Sequence, residues 1–515
     1  MRTLLIGLDS GTQSTKALVV NANSGKVLGS GTAKYDLIPG LPPGAKEQHP
    51  ETWRKATATA IKMALKLAKA KAGEVKAIGV SGQQHGFVPL DKAGNVIRPA
   101  KLWCDTSTSP ECEEITAKLG GLKKTIGVLG NAVLAGFTAS KILWLKKHEP
   151  KNFAKLATVL LPHDYLNFWL TGERVMEFGD ASGTALLDVR KRQWCAAMLN
   201  AIDESLADKL PRLISSDQPA GKLSAATAQE LGLNPGVLVS AGGGDNMMGA
   251  IGTGNTRPGI VTASFGTSGT IYACADKPVV DPQGEIAAFC DSTNRWLPLL
   301  CTMNVTVATE MVRKDFGIDH AAFEKMAAKA PAGCDGLFLL PYLEGERTPN
   351  VPEGTGVYFG VNARTFTAHH FARATMEGVT LGMNYGLRRL ARLGVKAKQI
   401  RATGGGANSK LWRQIMADVF NTEVVTLAVG EGAAYGAALQ ALWCWRLQAG
   451  EKMKIENITD EFVTLNRTQT AGPIQVNAKR YSELQSVQDA ASRALRGVFA
   501  QHQRFVGRRV WSGHP

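Results

Sequence analysis

An α/β fold of two domains with a cleft between them is predicted by three observations on this sequence. The chain has 515 residues, too many for one ordinary hydrophobic core. Short apolar runs that suit strands alternate with longer stretches of helical periodicity. A hairpin near the start, Asp9-Ser10-Gly11-Thr12, has a counterpart at Ser264-Phe265-Gly266-Thr267, the second glycine standing 255 residues after the first. Each Gly-Thr hairpin heads a β-rich half. The chain is therefore divided into 1–255 and 256–495, and 496–515, with Arg504, Arg508 and Arg509, reads as a frayed basic tail.

Composition narrows the function classes. A 44% hydrophobic and 20% charged chain is a packed domain protein, not a disordered one. No apolar run approaches the ~20 residues of a bilayer span. Asp9 and its neighbouring glycines interrupt the first apolar run too early for a signal-peptide core. The eight cysteines show no CxxC pair or metal-ligand spacing, which fits reduced thiols in a cytoplasm. The net charge of +15 suits an anionic partner, a phosphorylated small molecule or a nucleic acid. The basic residues are dispersed along the chain, so no nucleic-acid surface and no membrane contact is expected; homodimer formation is left open.

In the first half, Leu4 to Leu8 is an apolar strand running into Asp9-Ser10-Gly11-Thr12-Gln13-Ser14-Thr15-Lys16, and Ala17 to Asn21 is the return strand. Backbone N–H groups, hydroxyls and the Lys16 ammonium at this turn suit phosphate oxygens, or it is an ordinary polar hairpin. Lys26 to Tyr35 supplies a third strand. Pro50 opens a helix in which Trp53, Ala56, Ala60, Ile61 and Ala64 recur near helical spacing. Val75 to Ser81 is a strand ending in Gly82-Gln83-Gln84-His85-Gly86, and Phe87 to Leu90 and Asn95 to Ile97 read as further strands. The order βββαβα is typical of the ribonuclease H-like, actin-like ATPase core. His85, between glycines at a strand end, reads as an exposed functional residue or as a satisfied core histidine.

The second half repeats this outline. Gly259 to Ala263 leads into its own Gly-Thr hairpin, and Ile271 to Cys274 returns. Thr367 to Leu393 is a long helix, and the strand Gln399 to Ala402 runs into Gly404-Gly405-Gly406-Ala407-Asn408. That glycine turn would let an adenosine lie against bare backbone. Gly432 to Ala438 opens a small-residue helix able to pack closely on a neighbour. Neither GxxxxGK[ST] nor GxGxxG occurs, which removes a P-loop and a Rossmann fingerprint.

Between the hairpins, the apolar run Val237 to Ala241 ends in Gly242-Gly243-Gly244-Asp245-Asn246. Open α/β sheets bind ligands at strand carboxyl ends, and Asp245 is one carboxylate presented there. The same residues also fit a tight turn whose acid caps the following helix.

Taken in order, these segments resemble the FGGY-type sugar kinases. The carriers are Gly7-Leu8-Asp9-Ser10-Gly11-Thr12, Gly82-Gln83-Gln84-His85-Gly86, Gly242-Gly243-Gly244-Asp245-Asn246, Ser264-Phe265-Gly266-Thr267-Ser268-Gly269 and Gly404-Gly405-Gly406-Ala407. The run Leu340 to Pro349, Leu102-Trp103-Cys104-Asp105 and Pro162-His163-Asp164-Tyr165-Leu166 also match in place. The resemblance spans Leu5 to about Leu447. It implies two ribonuclease H-like domains, the first binding sugar and the second nucleotide, and ATP-dependent phosphorylation with Mg²⁺. The Gln-Gln-His-Gly run points to D-xylulose, giving D-xylulose 5-phosphate, over glycerol or gluconate. Ribulose, sedoheptulose and a non-catalytic ATP-binding sugar sensor are the alternatives.

By the same resemblance Asp245 is the general base, with Asp9 near the metal and phosphates; both are expected as Mg²⁺ ligands. Gln84, His85 and Asn246 would bind the sugar, together with Trp103 and Asp105. Thr12 and Lys16 would meet the nucleotide phosphates from one domain, Gly266 and Thr267 from the other. Gly405, Gly406 and Asn408 would line the adenine side. Many relatives place an Arg shortly after the Trp-x-Asp, where this chain has Thr106-Ser107-Thr108, so no contact of that Arg is carried over.

Overall fold

The computed structural model describes residues 2–430 and 432–507. They form two compact units, each built on its own sheet. The first comprises the residues up to Arg257 with Cys274–Pro298 and Val429–Thr464. The second comprises Pro258–Ala273, Leu299–Ala428 and the described residues from Leu465 on. The first sequence segment thus ends two residues beyond the boundary read at 255, and two later segments join it.

The first sheet begins with the antiparallel strands β1 (Leu4–Ser10), β2 (Ser14–Asn21) and β3 (Val27–Lys34). Helix α1 (Pro50–Leu67) follows, with proline in its first turn and the His49 ring accepting from the Glu51 N–H. It leads to β4 (Val75–Gly82), which lies parallel to β1. Strands β5 (Pro219–Lys222) and β6 (Leu238–Ser240) complete the order β5-β6-β4-β1-β2-β3. The run Asn95 to Ile97 forms no strand and meets Leu90 through a single bridge at Val96. Leu4, Ile6 and Leu8 of β1 pack with Trp53 and Ile61 of α1. The opposite face of the strand, at Leu5, is buried as well. Burial on both faces is why β1 reads as a continuous apolar run rather than an alternating one.

After α2 (Asp245–Gly252) the chain enters the second unit through β7 (Ile260–Phe265) and β8 (Gly269–Ala273). β9 (Trp296–Thr302) pairs antiparallel with β8 through Leu299–Thr302. The long helix α3 (Ala368–Arg392) is capped by the Thr367 hydroxyl, which accepts from the His370 N–H. Then β10 (Gln399–Thr403), α4 (Lys410–Phe420) and β11 (Glu423–Leu427) place two parallel strands beside β7. Each unit therefore sets a parallel strand against the first strand of an antiparallel hairpin.

Helix α5 (Gly432–Gln448) belongs to the first unit, although it follows the second unit's β11. Its small residues find their neighbour in the first sheet. A Cβ on Gly7 would lie 2.0 Å from the Ala434 carbonyl oxygen, and one on Gly79 2.0 Å from that of Ala437. Strand β12 (Leu465–Ala471) returns the chain to the second unit, antiparallel to β11.

The expected frayed tail is corrected over its first part. Arg496–Gly507 is a helix, and Phe499, 3% exposed, packs among Phe338, Leu340 and Tyr342 with Leu495 beside it. Leu495 and Phe499 are four residues apart and so share a helical face, a signal masked by the surrounding basic residues. Arg508 and Arg509 lie outside the described residues. Among the described residues no helix is long and apolar enough to cross a membrane.

Candidate functional site

The carboxyl ends of β1 and β4 and the glycine turn after β6 converge at one end of the first sheet. Asp9 stands opposite Ser81 of β4 and Lys16 of β2 in the strand register, and the Ser81 hydroxyl donates to Asp9 Oδ1 at 3.0 Å. Gly243 and Gly244 run parallel to Ser81 and Gly82. Gly242 has φ +71°, and a Cβ there would lie 2.5 Å from the Val80 carbonyl oxygen, so the turn needs glycine. Asp245 then occupies the first position of α2. Gly244, which has no side chain, is the cap, and the acid itself lies one position inside the helix.

Asp245 is half-buried as a residue, and its carboxyl is pushed up to about 7. Burial is the largest cause, followed by the charges of Asp9 and Asp180. Its Oδ1 accepts from the Asn246 backbone N–H at 2.7 Å and from Asn246 Nδ2 at 2.9 Å. Asn246 Nδ2 also donates to Gln84 Oε1 at 2.7 Å, and Gln84 Nε2 donates to Met247 Sδ at 3.0 Å. Asp245, Asn246 and Gln84 thus form one continuous chain.

His85 is buried, at 7% exposure, and has φ +62°, a left-handed conformation uncommon outside glycine. Its ring lies 4.9 Å from that of Phe137 and 5.3 Å from that of Phe289. Its Nδ1 is 3.3 Å from Asp180 Oδ1. The expectation of an exposed histidine is thereby corrected.

Thr12 has its hydroxyl between Trp103 Nε1, which donates to it at 3.0 Å, and Gln83 Oε1, to which it donates at 3.3 Å. Gln83 Nε2 donates to Gln48 Oε1, and Trp53 Nε1 donates to the same oxygen. Asp105, expected among the sugar ligands, is fully buried and spent on its own loop. Its carboxylate accepts from Lys101 Nζ at 3.2 Å, the Ser107 hydroxyl at 2.6 Å and the Lys46 backbone N–H at 2.9 Å. Asp105 therefore shapes the turn that carries Trp103. Ser107, standing in the stretch where relatives often have Arg, completes that ion pair by also accepting from Lys101 at 3.0 Å.

In the second unit, Gly405, Gly406 and Asn408 line a cavity of about 630 Å³ together with Trp412, Glu310 and Thr306. Gly406 must be small, since a Cβ would lie 2.9 Å from Phe265 Cβ and 3.1 Å from the Trp412 ring. Gly266 and Thr267 sit at the edge of this region. Their carbonyls accept from the N–H groups of Thr306 and Val305, and the Thr267 side chain is exposed. Among the described residues no three His, Cys, Asp or Glu side chains form a metal cage.

The sequence profile of the FGGY family of carbohydrate kinases matches residues 4–252 for its N-terminal domain and 261–445 for its C-terminal domain. Xylulose kinase of Haemophilus influenzae is 43% identical over 93% of this chain and 97% of its own. The chain belongs to the FGGY family of carbohydrate kinases. Xylulose kinase of Bacillus subtilis is 35% identical, covering 89% of this chain and 91% of that one. Among solved structures, xylulose kinase from Bifidobacterium adolescentis shows a TM-score of 0.80 at 30% identity, covering 94% of this chain and 99% of its own. Xylulose kinase from Rhodospirillum rubrum gives 0.88 at 28% identity, covering 96% and 100%. The fold is the two-domain actin-like ATPase fold of these kinases.

Some residues around the site of this FGGY kinase escaped the sequence reading. Gln83 and Gln48 link Thr12, Trp103 and Trp53, but glutamine has no spacing signature. Asp180 and His163 lie behind His85, joined at 3.2 Å through His163 Nδ1 and Asp180 Oδ2. Asp180 stands in a run of small residues, where nothing local distinguishes a site acid from a turn acid. His163-Asp164 matched the family by position only.

Proposed function

We propose that this kinase transfers the γ-phosphoryl group of ATP to D-xylulose, producing D-xylulose 5-phosphate and ADP. The observation that carries this reading is Asp245. It is a desolvated acid with its pKa near 7, joined through Asn246 to Gln84 at the carboxyl ends of β1 and β4. The names of the relatives supply the sugar. ATP would be held by the glycine-lined cavity of the second unit, the ketose by Gln84, His85 and Asn246.

Asp245, once ionised, accepts the proton of the attacking O5 hydroxyl as the new O–P bond forms. The bond between the γ-phosphorus and the bridging oxygen breaks, and that oxygen leaves with ADP. Asp9 and Asp245 suit Mg²⁺, which takes oxygen ligands from one or two carboxylates and fills the rest with phosphates and water. When bound there, it would supply positive charge against the phosphates. Lys16, beside Asp9 in the register, and Thr12 are the phosphate contacts we assign to the first unit, with Gly266 and Thr267 in the second. The cytoplasm, which supplies ATP, is the compartment this reading assigns to the reaction.

A coupled ADP-release assay over D-xylulose, ribulose, sedoheptulose and glycerol tests the assignment. D-xylulose should give the highest kcat/KM, and its failure to stimulate ADP release would refute the proposal. His85→Ala should raise KM for D-xylulose about tenfold and leave KM for ATP within about twofold, as expected for loss of one hydrogen bond to the sugar. The reverse split would remove His85 from the sugar side. Activity should also follow the ionisation of Asp245. Only the carboxylate can take the proton, so kcat/KM should fall about tenfold per pH unit below the pKa of Asp245, which bound Mg²⁺ would draw down from its metal-free value of about 7, and level off above it. Loss of that acid limb in Asp245→Asn is expected, and an unchanged limb in the variant would exclude this base.

A further inference from the structure

His85 is held from every side by groups that the reaction does not otherwise use. A Cβ on Gly183 would lie 1.9 Å from the ring's Cε1 and 2.1 Å from its Nδ1, so the imidazole rests directly on the glycine backbone. Phe137 and Phe289 form two walls. The His85 carbonyl accepts from the Thr138 hydroxyl at 3.1 Å and from the fully buried Lys141 Nζ at 3.5 Å. These contacts hold the left-handed backbone at His85, but they say nothing about which ring nitrogen carries the proton.

Asp180 does. Its side chain is fully buried, with Oδ1 3.3 Å from His85 Nδ1, an ion-pair distance rather than a straight hydrogen bond. Its Oδ2 is 3.2 Å from Nδ1 of His163, whose Nε2 is in turn 2.9 Å from Asp164 Oδ1. Burial disfavours a charge on His163, but Asp164 and Asp180 outweigh it and hold the ring protonated. Asp180 is held down to about 2; burial is again the largest influence, and the bonds to His163 and His85 overcome it. A permanent carboxylate therefore faces His85 Nδ1.

We propose that Asp180 is a positioning residue for sugar binding, fixing His85 as the Nδ1–H tautomer with its ring seated on Gly183. With its proton held on Nδ1 by Asp180, the ring accepts a ketose hydroxyl at Nε2, so the buried pair decides which hydroxyl pattern is read. This inference rests on the reading of His85 as a sugar ligand.

The test uses the full-length enzyme labelled with ¹⁵N-histidine. In wild type His85 should appear as the Nδ1–H tautomer, and Asp180→Asn should shift it toward Nε2–H. Asp180→Asn should raise KM for D-xylulose about tenfold, with a far smaller change in kcat and none in KM for ATP. The double variant Asp180→Asn, His85→Ala should be no worse than His85→Ala alone, because the two residues act through one ring. Gly183→Ala should reproduce the KM effect by displacing that ring. It also carries the test, with the wild-type tautomer, if Asp180→Asn does not fold. An Nε2–H tautomer in wild type, or effects that multiply in the double variant, would overturn the proposal. A raised KM in His85→Ala beside a normal one in Asp180→Asn overturns the positioning role alone. An unchanged KM in His85→Ala overturns the reading of His85 itself, and the proposal with it.

Discussion

Asp245→Asn is expected to fold, to bind ATP and to lose about 10²–10⁴-fold in kcat, the usual contribution of a positioned general base. The substitution is nearly isosteric. Its Oδ1 still accepts from both Asn246 donors, so the Asp245–Asn246–Gln84 chain persists. Only the ability to take a proton is removed. Stability provides an independent check. The folded-state pKa is raised, so the folded protein binds this proton more tightly than the unfolded chain does. Stability is then lost as pH rises from the ordinary carboxylate range toward 7. At pH 8 the Asn variant should therefore melt no lower than wild type, and the difference should shrink as pH falls to 4. Turnover near the wild-type rate would end the assignment of Asp245 as base.

Gly436→Ala is expected to damage the fold where the helix that begins at Asp245 is packed. Helices α2 and α5 meet backbone against backbone. A Cβ on Gly436 would lie 1.8 Å from the Met248 carbonyl oxygen, and one on Gly252 1.8 Å from that of Gly432. Real Cβ atoms do not approach that closely, and main chain cannot swing aside as a flexible side chain can. Overpacking of this kind costs ~3 kcal/mol or more. The variant should melt ~5 °C or more below wild type, or accumulate unfolded. Gly497→Ala is the control. Gly497 lies inside the helix Arg496–Gly507 with open space around its Cβ position. There the same change should leave stability unchanged or raise it, since alanine is the better helix former. Equal melting temperatures for Gly436→Ala and wild type would show that α2 and α5 can separate at little cost.

The glycine-bounded parts of the site were legible because glycine is a local signal. The turn at 242–244 announced that the backbone approaches something, and it placed Asp245 and Asn246. The strand end at Gly82 similarly placed Gln84 and His85. What stayed hidden depends on residues brought together from afar. Asp105 sits in a motif that suggests a ligand contact, yet Lys101 and Ser107 consume its carboxylate, which only the folded loop reveals. Asp180 carries no local mark of its own, because the ring it faces, His85, stands 95 residues earlier in the chain. The small residues of 432–438 correctly signalled close packing, but nothing in them said that the partner was a sheet begun at Leu4.

That late contribution has a consequence during synthesis. One face of the first sheet, including Leu5, Leu18 and Val20, is covered by Ala434, Ala438 and Leu442 of α5. When β1 to β4 leave the ribosome, α5 is still hundreds of codons away. At ~5–20 residues per second, that face waits roughly tens of seconds for its cover. A nascent chain stopped after α2 would carry Gln84, His85, Asp245 and Asn246, but would expose an apolar sheet face to the cell. Truncation products of this gene should for that reason be chaperone clients and not half-enzymes.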